Sequence, residues 1–292
     1  MKKVALCPNP KRDSELKYTK EAMGILQEQG IDCILTYPFE TDAPTDGLEI
    51  PFLPLVDAVE QADLLITLGG DGTILRVAPH AARHQCPILA VNVGHLGFIC
   101  DLEMDEVPLI EKLSDEAWKI ERRMMLDVSV RREGRVIYNT LALNEAVVNK
   151  GAVSRVVNLG VDINGQRMLY LRGDGLIAAT ATGSTGYSRS AGGPVMSPKI
   201  RGIIMTPVCP MNLPIGSWVL EAEDVLTIES LEKNYISGFL SVDGGRAFSF
   251  HRGDTVELRC SKFETQLLRL KGRGFFDEYE RKMGTGGVQH EK

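Results

Sequence analysis

Short apolar runs alternate with longer polar or amphipathic stretches through the first 116 residues. The apolar runs lie at residues 3–7, 31–36, 64–68 and 87–91. Runs of this length predict buried strands, and their alternation with helical segments predicts βαβ units. We therefore predict an α/β N-terminal domain built on a doubly wound parallel sheet. Ligands of such a sheet bind outside the carboxyl ends of its strands.

Helix signals lie between these runs. Ser14 is the predicted N-cap of a helix that ends at Gly30, and a short helix is predicted over residues 53–61. A further helix at residues 105–113 is expected to close the first domain, which we place at residues 1–116. The segment 42–47 contains proline and glycine and is predicted to be a loop.

The pattern changes after Trp118, where short strand-like segments dominate. Asn164-Gly165 is a strong two-residue hairpin signal. Dense short strands predict a β-rich domain, a sandwich or a barrel, over residues 117–274. The segment 275–292 is predicted to hold a terminal helix at 275–283 and a disordered tail. The predicted strands are residues 119–131, 136–149, 153–163, 166–172, 224–230, 238–242, 246–250 and 255–260.

Composition narrows the class of protein. The net charge of −6 argues against a general nucleic-acid binder, and no apolar segment has the length of a membrane span. Lys2 and Lys3 precede only four apolar residues, too few for a secretory signal. The six cysteines form no CxxC pair and the five histidines show no metal-ligand spacing. We therefore expect reduced thiols in the cytoplasm and no fixed protein metal site.

A glycine-rich turn follows the run at residues 64–68 and reads Gly69, Gly70, Asp71, Gly72 and Thr73. Such a turn before a helix, with Thr73 as the predicted N-cap, forms an anion site from backbone N–H groups. A carboxylate repels phosphate, so Asp71 needs another task, either holding Mg²⁺ or accepting a proton. The alternative is a tight turn in which Asp71 only forms an Asx-turn. The spacing excludes both the Walker A and the GxGxxG motifs.

Further polar segments interrupt apolar runs elsewhere. Residues 92–98 form a second glycine-rich loop, which we expect beside the first because its strand belongs to the same sheet. Asn144 and Glu145 interrupt an apolar run, and a buried Glu145 needs a partner, either a structural network or a ligand with sugar hydroxyls. Residues 180–190 form a hydroxyl-rich loop that suits a nucleotide, and a turn at 241–245 can close the same site.

Taken together, these blocks resemble the NAD kinases over most of the chain. The resemblance implies phosphorylation of the 2′-hydroxyl of the adenosine ribose of NAD by ATP or polyphosphate, giving NADP, with Mg²⁺ or another divalent metal as the cofactor. It also implies a β-sandwich C-terminal domain and a homodimer or homotetramer. The matching blocks, in the order of the family, are residues 69–73, 92–98, 144–145, 174–175 and 182–194.

The resemblance further implies roles for single residues. Asp71 matches the catalytic proton acceptor, and Gly69, Gly70, Gly72 and Thr73 match the phosphate turn. Positions that match NAD-binding residues are Asp71, Gly72, Arg76, Asn144, Glu145, Arg155, Arg172, Asp174, Thr182, Thr185, Gly186, Tyr187, Ser188, Arg189 and Ser190.

Within that set, the resemblance assigns different residues to different parts of NAD. Asn144 and Glu145 match positions for the adenine and ribose groups, and residues 185–190 match the adenine-side loop. Arg172 and Asp174 match the nicotinamide end, where a neighbouring subunit contributes in the family.

The chain departs from the family pattern at two single positions and in one segment. Ala181 replaces a usual proline, Gly186 replaces a usual alanine, and residues 209–214 lack a usual His and Arg. Two alternative functions stay open from sequence. One is a lipid kinase that shares the GGDG motif, and the other is a non-catalytic NAD(H)-binding regulator.

Overall fold

A computed structural model describes residues 1–39, 47–94, 97–115, 118–151, 156–211, 215–231, 236–272 and 274–283. The predicted loop at 42–47, apart from Gly47, and the predicted tail at 284–292 lie outside these residues. The chain divides into two compact units, of which one holds residues 1–122 and 265–292 and the other holds residues 123–264. None of the described helices is both long and apolar enough to cross a membrane.

The secondary structure follows the predicted change from alternating helices and strands to dense strands. The α-helices are α1 (Lys17–Glu28), α2 (Leu55–Gln61), α3 (Asp71–His84), α4 (Tyr187–Ser190) and α5 (Phe275–Met283), and 3₁₀ helices lie at Ser14–Leu16, Met104–Asp115 and Gly183–Thr185. The strands are β1 (Lys3–Pro8), β2 (Asp32–Leu35), β3 (Leu64–Gly69), β4 (Ile88–Asn92), β5 (Leu102–Glu103), β6 (Lys119–Arg132), β7 (Arg135–Ala142), β8 (Glu145–Asn149), β9 (Val157–Ile163), β10 (Gln166–Gly173), β11 (Gly175–Ala179), β12 (Gly202–Val208), β13 (Trp218–Glu221), β14 (Leu226–Ser230), β15 (Ile236–Val242), β16 (Phe248–His251) and β17 (Thr255–Arg269).

The first unit contains the predicted parallel sheet. Strands β2, β1, β3 and β4 are neighbours in that order, and every pair is parallel. All six residues of β3 and all five of β4 are buried, as expected for a sheet covered on both faces. Because the strands are parallel, the loops that follow β1, β3 and β4 leave the sheet at one edge. Those loops carry Asn9, Gly70 and Val93.

Three helix predictions in this unit need correction. Asp13, rather than Ser14, holds the start of α1, since its carboxylate accepts the Tyr18 and Thr19 N–H groups at 3.0 Å. Thr73 is not an N-cap, because Gly70 occupies that position and α3 begins at Asp71. The segment predicted as a helix at 105–113 is a 3₁₀ helix, Met104–Asp115, with a proline inside it.

The second unit is a β-sandwich. One sheet has the order β13–β12–β11–β8–β15–β16, and the other includes β10–β9–β14–β17. Both sheets contribute to one core, in which Val148 and Ala178 belong to the first sheet and Val161 and Ile228 to the second. The predicted hairpin is confirmed, because Asn164 and Gly165 have φ angles of 53° and 78°, which a type I′ turn requires.

Some strands differ from the sequence-based expectation. The strand-like stretch at 136–149 is two strands, β7 and β8, interrupted at Leu143 and Asn144. Four further strands, β5, β11, β12 and β13, were not predicted. The predicted boundaries lie at 116 and 274, whereas the two compact units change at 122 and 264, inside β6 and β17. The end of β17 pairs in parallel with β4, Leu267 opposite Ile88, so the first unit includes residues from late in the chain.

The close packing at the end of β3 yields a stability prediction. A Cβ added to Gly69 would overlap the Thr73 hydroxyl and lie 3.1 Å from Asn9 Cβ, whereas one added to Gly70 would meet open space. We expect Gly69→Ala to lower the free energy of unfolding by about 1–3 kcal/mol, the usual cost of overpacking. Urea denaturation measures the loss, with Gly70→Ala as the control from the same turn. Equal stability of the two variants would contradict the packing argument.

Candidate active site

The predicted phosphate turn joins β3 to α3. Gly70 is extended, with φ −107° and ψ −173°, and α3 starts at the next residue, Asp71. The first N–H groups of a helix have no partner inside the helix, and the helix dipole places partial positive charge there. The turn therefore has the backbone donors that an anion site requires, at the carboxyl edge of the parallel sheet.

The carboxylate of Asp71 is held by the second glycine-rich loop. One oxygen accepts the Phe98 N–H at 2.6 Å and the other accepts the Ile99 N–H at 3.1 Å. The Cys100 thiol lies 3.6 Å from the same carboxylate. A Cβ on Gly97 would lie 2.5 Å from Asp71 Oδ1, so only glycine lets the loop approach this closely.

These contacts confirm that the two glycine-rich loops lie side by side. They also show that Asp71 bonds across to residues 27 and 28 positions later, rather than closing a turn of its own. The central residues of the second loop, 95 and 96, lie outside the described part of the chain.

The loop after β1 also contacts the phosphate turn, and the sequence analysis missed it. The Asn9 side-chain amide donates to Thr73 Oγ1 at 3.2 Å, and the Asn9 N–H donates to the Leu68 carbonyl at 2.8 Å. Thr73 is buried, so its hydroxyl serves this contact rather than the solvent. The available signal was a polar segment directly after the first buried strand, since carboxyl ends of parallel strands share an edge.

In the second unit, Asn144 and Glu145 lie where β7 gives way to β8. The carboxylate of Asp243 accepts the N–H groups of Leu143, Asn144 and Glu145 at 2.7, 2.8 and 2.9 Å. In return, the Asp243 N–H donates to the Glu145 carbonyl at 2.9 Å. The predicted turn at 241–245 therefore fixes the backbone of this pair.

Both side chains of the pair carry buried polar atoms that lack a hydrogen-bond partner, Asn144 Oδ1 and Glu145 Oε2. Burial, with the nearby Asp243 carboxylate as the lesser cause, raises the pKa of Glu145 to about 7. Burial likewise raises the pKa of Asp243 to about 6, against the opposing effect of its three backbone donors. Buried polar atoms are normally paired in native proteins, so these two oxygens are available to accept hydrogen bonds from a group outside the protein.

The hydroxyl-rich loop packs against this pair. The Thr180 hydroxyl donates to the Leu143 carbonyl at 2.6 Å, and the Thr180 N–H donates to the Asn144 carbonyl at 2.8 Å. A Cβ on Gly183 would overlap the Asn144 carbonyl, and one on Gly186 would lie 3.3 Å from Glu145 Oε2. The fold thus brings Gly186 next to Glu145.

The other predicted residues of this loop fall into two groups. Thr182 and Ser188 are buried, and their hydroxyls bond within the protein, Thr182 with Arg123 at 3.2 Å and Ser188 with Thr206 at 2.9 Å. Thr185 is half-buried, and its hydroxyl donates to the Thr182 carbonyl at 3.3 Å. The exposed residues are Tyr187, Arg189 and Ser190.

Arg172 and Asp174 lie at the opposite end of β11 from Glu145. The register pairs Gly175 with Asn149 but Ala179 with Glu145, so Asp174 is about 16 Å along the strand from that pair. The Asp174 carboxylate forms an ion pair with Lys150 at 2.8 Å.

Two further predicted residues are Arg76 and Arg155. In the first unit, the Arg76 guanidinium stacks over the Phe39 ring at 5.7 Å. Arg155 lies outside the described residues.

A carboxylate in a glycine turn after a parallel strand, in a chain that also carries a β-sandwich with a polar loop, defines a class of nucleotide-dependent phosphotransferases. The chain belongs to the NAD kinase family. The ATP-NAD kinase N-terminal domain matches residues 54–115 and the ATP-NAD kinase C-terminal domain matches residues 143–270. The family resemblance inferred from the sequence motifs is confirmed.

Relatives that match over nearly their whole length are named NAD kinase. An NAD kinase of Natranaerobius thermophilus is 36% identical over 290 residues, covering 99% of this chain and 100% of the relative. An NAD kinase of Caldanaerobacter subterraneus subsp. tengcongensis is 37% identical over 278 residues, covering 95% of this chain and 97% of the relative.

Solved structures share the fold. Yeast NADH kinase, crystallised with NADH, matches with a TM-score of 0.87 at 25% identity, covering 100% of this chain and 90% of that one. An NAD kinase from Archaeoglobus fulgidus in complex with ATP matches with a TM-score of 0.74 at 25% identity, covering 98% and 100%.

The buried Glu145 makes stability depend on pH. An unfolded glutamate ionises near pH 4.5, whereas burial raises the pKa of Glu145 to about 7 in the folded protein. The contribution of Glu145 to the free energy of unfolding is therefore fully present below pH 4.5, and it is lost as the pH rises through the folded-state pKa of about 7. Relative to wild type, Glu145→Gln should gain up to about 3 kcal/mol of unfolding free energy between pH 4.5 and 8.

Urea denaturation at several pH values measures this difference. Glu28→Gln, at an exposed position, controls for the loss of one carboxylate. A pH-independent difference between wild type and Glu145→Gln would contradict the predicted ionisation.

Proposed function

We propose that this protein is an NAD kinase that transfers the γ-phosphate of ATP to the 2′-hydroxyl of the adenosine ribose of NAD, producing NADP. The observation that carries the proposal is Asp71, whose carboxylate lies at the start of α3 and is anchored by the Phe98 and Ile99 N–H groups. The arrangement supports a role for Asp71 as a fixed proton acceptor beside backbone donors suited to phosphate.

In the proposed reaction, the ribose oxygen attacks the γ-phosphorus, and the bond from that phosphorus to the β,γ-bridging oxygen breaks. Asp71 accepts the hydroxyl proton, and ADP leaves with the bridging oxygen. A carboxylate has about four lone-pair sites, so Asp71 keeps acceptor capacity while it holds the Phe98 and Ile99 N–H groups. Positioned proton transfer of this kind contributes typically about 10²–10⁴-fold to the rate.

The proposed cofactor is Mg²⁺, which when bound supplies positive charge to the phosphate groups. Within the described residues no group of three or more His, Cys, Asp or Glu side chains forms a metal cage. Magnesium commonly uses one or two carboxylates together with substrate phosphates, and Asp71 in the phosphate turn fits that pattern.

We propose that Asn144 and Glu145 bind the sugar hydroxyls and base of NAD, because their buried oxygens need partners that such groups provide. The adjacent loop residues Thr185 and Gly186 belong to the same subsite. The exposed residues Tyr187, Arg189 and Ser190 form the adenine side of this subsite. In the first unit, Gly72 and Arg76 contact the NAD substrate.

The position of Asp174 supports a proposal about assembly. Arg172 lies near the end of β10 and Asp174 just before β11, at the end of β11 that is far from Glu145. We propose that they contact the nicotinamide end of an NAD molecule bound by a neighbouring subunit. A homodimer or homotetramer supplies that neighbour. The six cysteines are free thiols, which supports a reducing compartment, and we propose the cytoplasm.

Two alternatives are less well supported. A lipid kinase with the same turn would need an apolar acceptor channel or a basic membrane face, and the net charge is −6. A non-catalytic NAD(H)-binding regulator has no use for an anchored Asp71 in a phosphate turn. Incubation with NAD and Mg²⁺, with ATP or inorganic polyphosphate as the donor, distinguishes the three functions by the formation of NADP.

Asp71→Asn tests the proton acceptor. We expect kcat to fall at least about 100-fold while NAD binding stays within a few-fold, because only transition-state stabilisation is lost. The asparagine amide would face one of the two backbone N–H donors, so the melting temperature should also fall, and kinetics must be measured well below it.

A Mg²⁺ series separates the possible roles of Asp71. If this carboxylate mainly held the metal, excess Mg²⁺ would partly restore the rate. Asp57→Asn, in the first turn of α2, is the matched control. A kcat near wild type in Asp71→Asn would refute the catalytic role.

Asp174→Ala tests the nicotinamide subsite. We expect NAD binding to weaken by about 1–3 kcal/mol, the cost of unpaired polar partners, with ATP affinity nearly unchanged. Lys150→Ala breaks the same ion pair and controls for its structural contribution.

Mixing Asp174→Ala with Asp71→Asn tests the source of Asp174. If a neighbouring subunit supplies it, mixed oligomers should regain activity at limiting NAD. Equal loss of NAD and ATP affinity in Asp174→Ala would contradict this placement.

A further inference from the structure

The loop between β1 and α1 is fixed at both of its ends. Asn9 accepts the Arg12 and Asp13 N–H groups on its carbonyl at 2.8 and 2.9 Å, and its amide side chain reaches Thr73. Asp13 is buried, and its carboxylate accepts the Thr19 hydroxyl at 2.6 Å. Arg12, one of the three residues between these anchors, therefore has a defined backbone position in the loop that contacts the phosphate turn.

The side chain of Arg12 packs against Gly94 of the second glycine-rich loop. A Cβ on Gly94 would lie 2.8 Å from Arg12 Nη1 and 3.3 Å from Cζ, so the guanidinium occupies the space that a larger residue would fill. Gly94 also has a φ of +145°, which L residues rarely adopt. The glycine at position 94 thus leaves room for the Arg12 side chain.

The guanidinium of Arg12 forms no hydrogen bond or ion pair with any residue in the described part of the chain. The phosphate turn contains no lysine or arginine, and its one charged residue, Asp71, is negative. A triphosphate that binds there gains backbone donors but needs a cation to offset both its own charge and that of Asp71.

We propose that Arg12 binds the phosphate groups of the nucleoside triphosphate at the turn of β3 and α3. The inference rests on the proposed function for the identity of the ligand, a phosphoryl donor such as ATP. The planar guanidinium suits bidentate contact with phosphate oxygens, and its anchored loop lowers the entropic cost of that contact. Arg12 would act in binding rather than in proton transfer.

The first test measures ATP binding by calorimetry, with Mg²⁺ and without NAD, so that no turnover is needed. Arg12→Gln should weaken ATP binding about 10- to 100-fold, the effect of losing hydrogen bonds to a charged group. Arg12→Lys should bind ATP more tightly than Arg12→Gln but less tightly than wild type, because lysine keeps the positive charge but cannot make the bidentate contact of a guanidinium. Lys11→Gln, at the exposed neighbouring position, removes the same charge and should bind ATP like wild type.

A second set of measurements separates a loss of phosphate binding from a general loss of folding stability. NAD affinity and melting temperature of Arg12→Gln should match wild type, and the salt dependence of ATP binding should become shallower. ATP affinity within about twofold of wild type, or an equal loss in Lys11→Gln, would overturn the assignment.

The outcomes also distinguish this inference from the proposed function. Wild-type protein that forms NADP while Arg12→Gln binds ATP normally would overturn only the role of Arg12. Wild-type protein that binds ATP through Arg12 but forms no NADP would overturn the proposed function and support the role of Arg12.

Discussion

The hydrogen bonds from the Phe98 and Ile99 N–H groups to the Asp71 carboxylate connect loops that follow two neighbouring strands. Without them, a negative side chain at the start of α3 would be free to swing toward a bound phosphate. With them, it is fixed beside the backbone donors of the turn. The glycines at 69 and 97 are explained by this arrangement, since side chains there would collide with Thr73 and Asp71.

In the second unit, the carboxylates of Asp243 and Glu145 have different hydrogen-bonding environments. Asp243 is surrounded by three backbone donors and fixes the main chain, whereas Glu145 keeps a buried oxygen without a partner. Desolvation raises the pKa of both carboxyl groups, and only for Asp243 do backbone donors partly offset it. One carboxylate thus organises the backbone while the other is left available for a ligand, at a cost in stability that binding can offset.

The sequence pattern predicted the parallel sheet, the β-rich second unit and the glycine turn because each depends on local periodicity or local glycine content. It failed where tertiary contacts decide. Asp13 replaced Ser14 at the start of α1 through contacts with Tyr18 and Thr19. The roles of Asn9 and Arg12 depend on the adjacency of β1 and β3, which spacing along the chain does not contain. Unpaired oxygens likewise become visible only once burial is known.

The pairing of β17 with β4 has a consequence for how the chain is made. Residues 265–269 of this strand belong to the same compact unit as residues 1–122, although the whole of the second unit lies between them in sequence. During synthesis from the N-terminus, the parallel sheet emerges from the ribosome lacking this strand. The sandwich has been synthesised before the missing strand arrives, so the unit that holds Asp71 is the first to begin and the last to be completed.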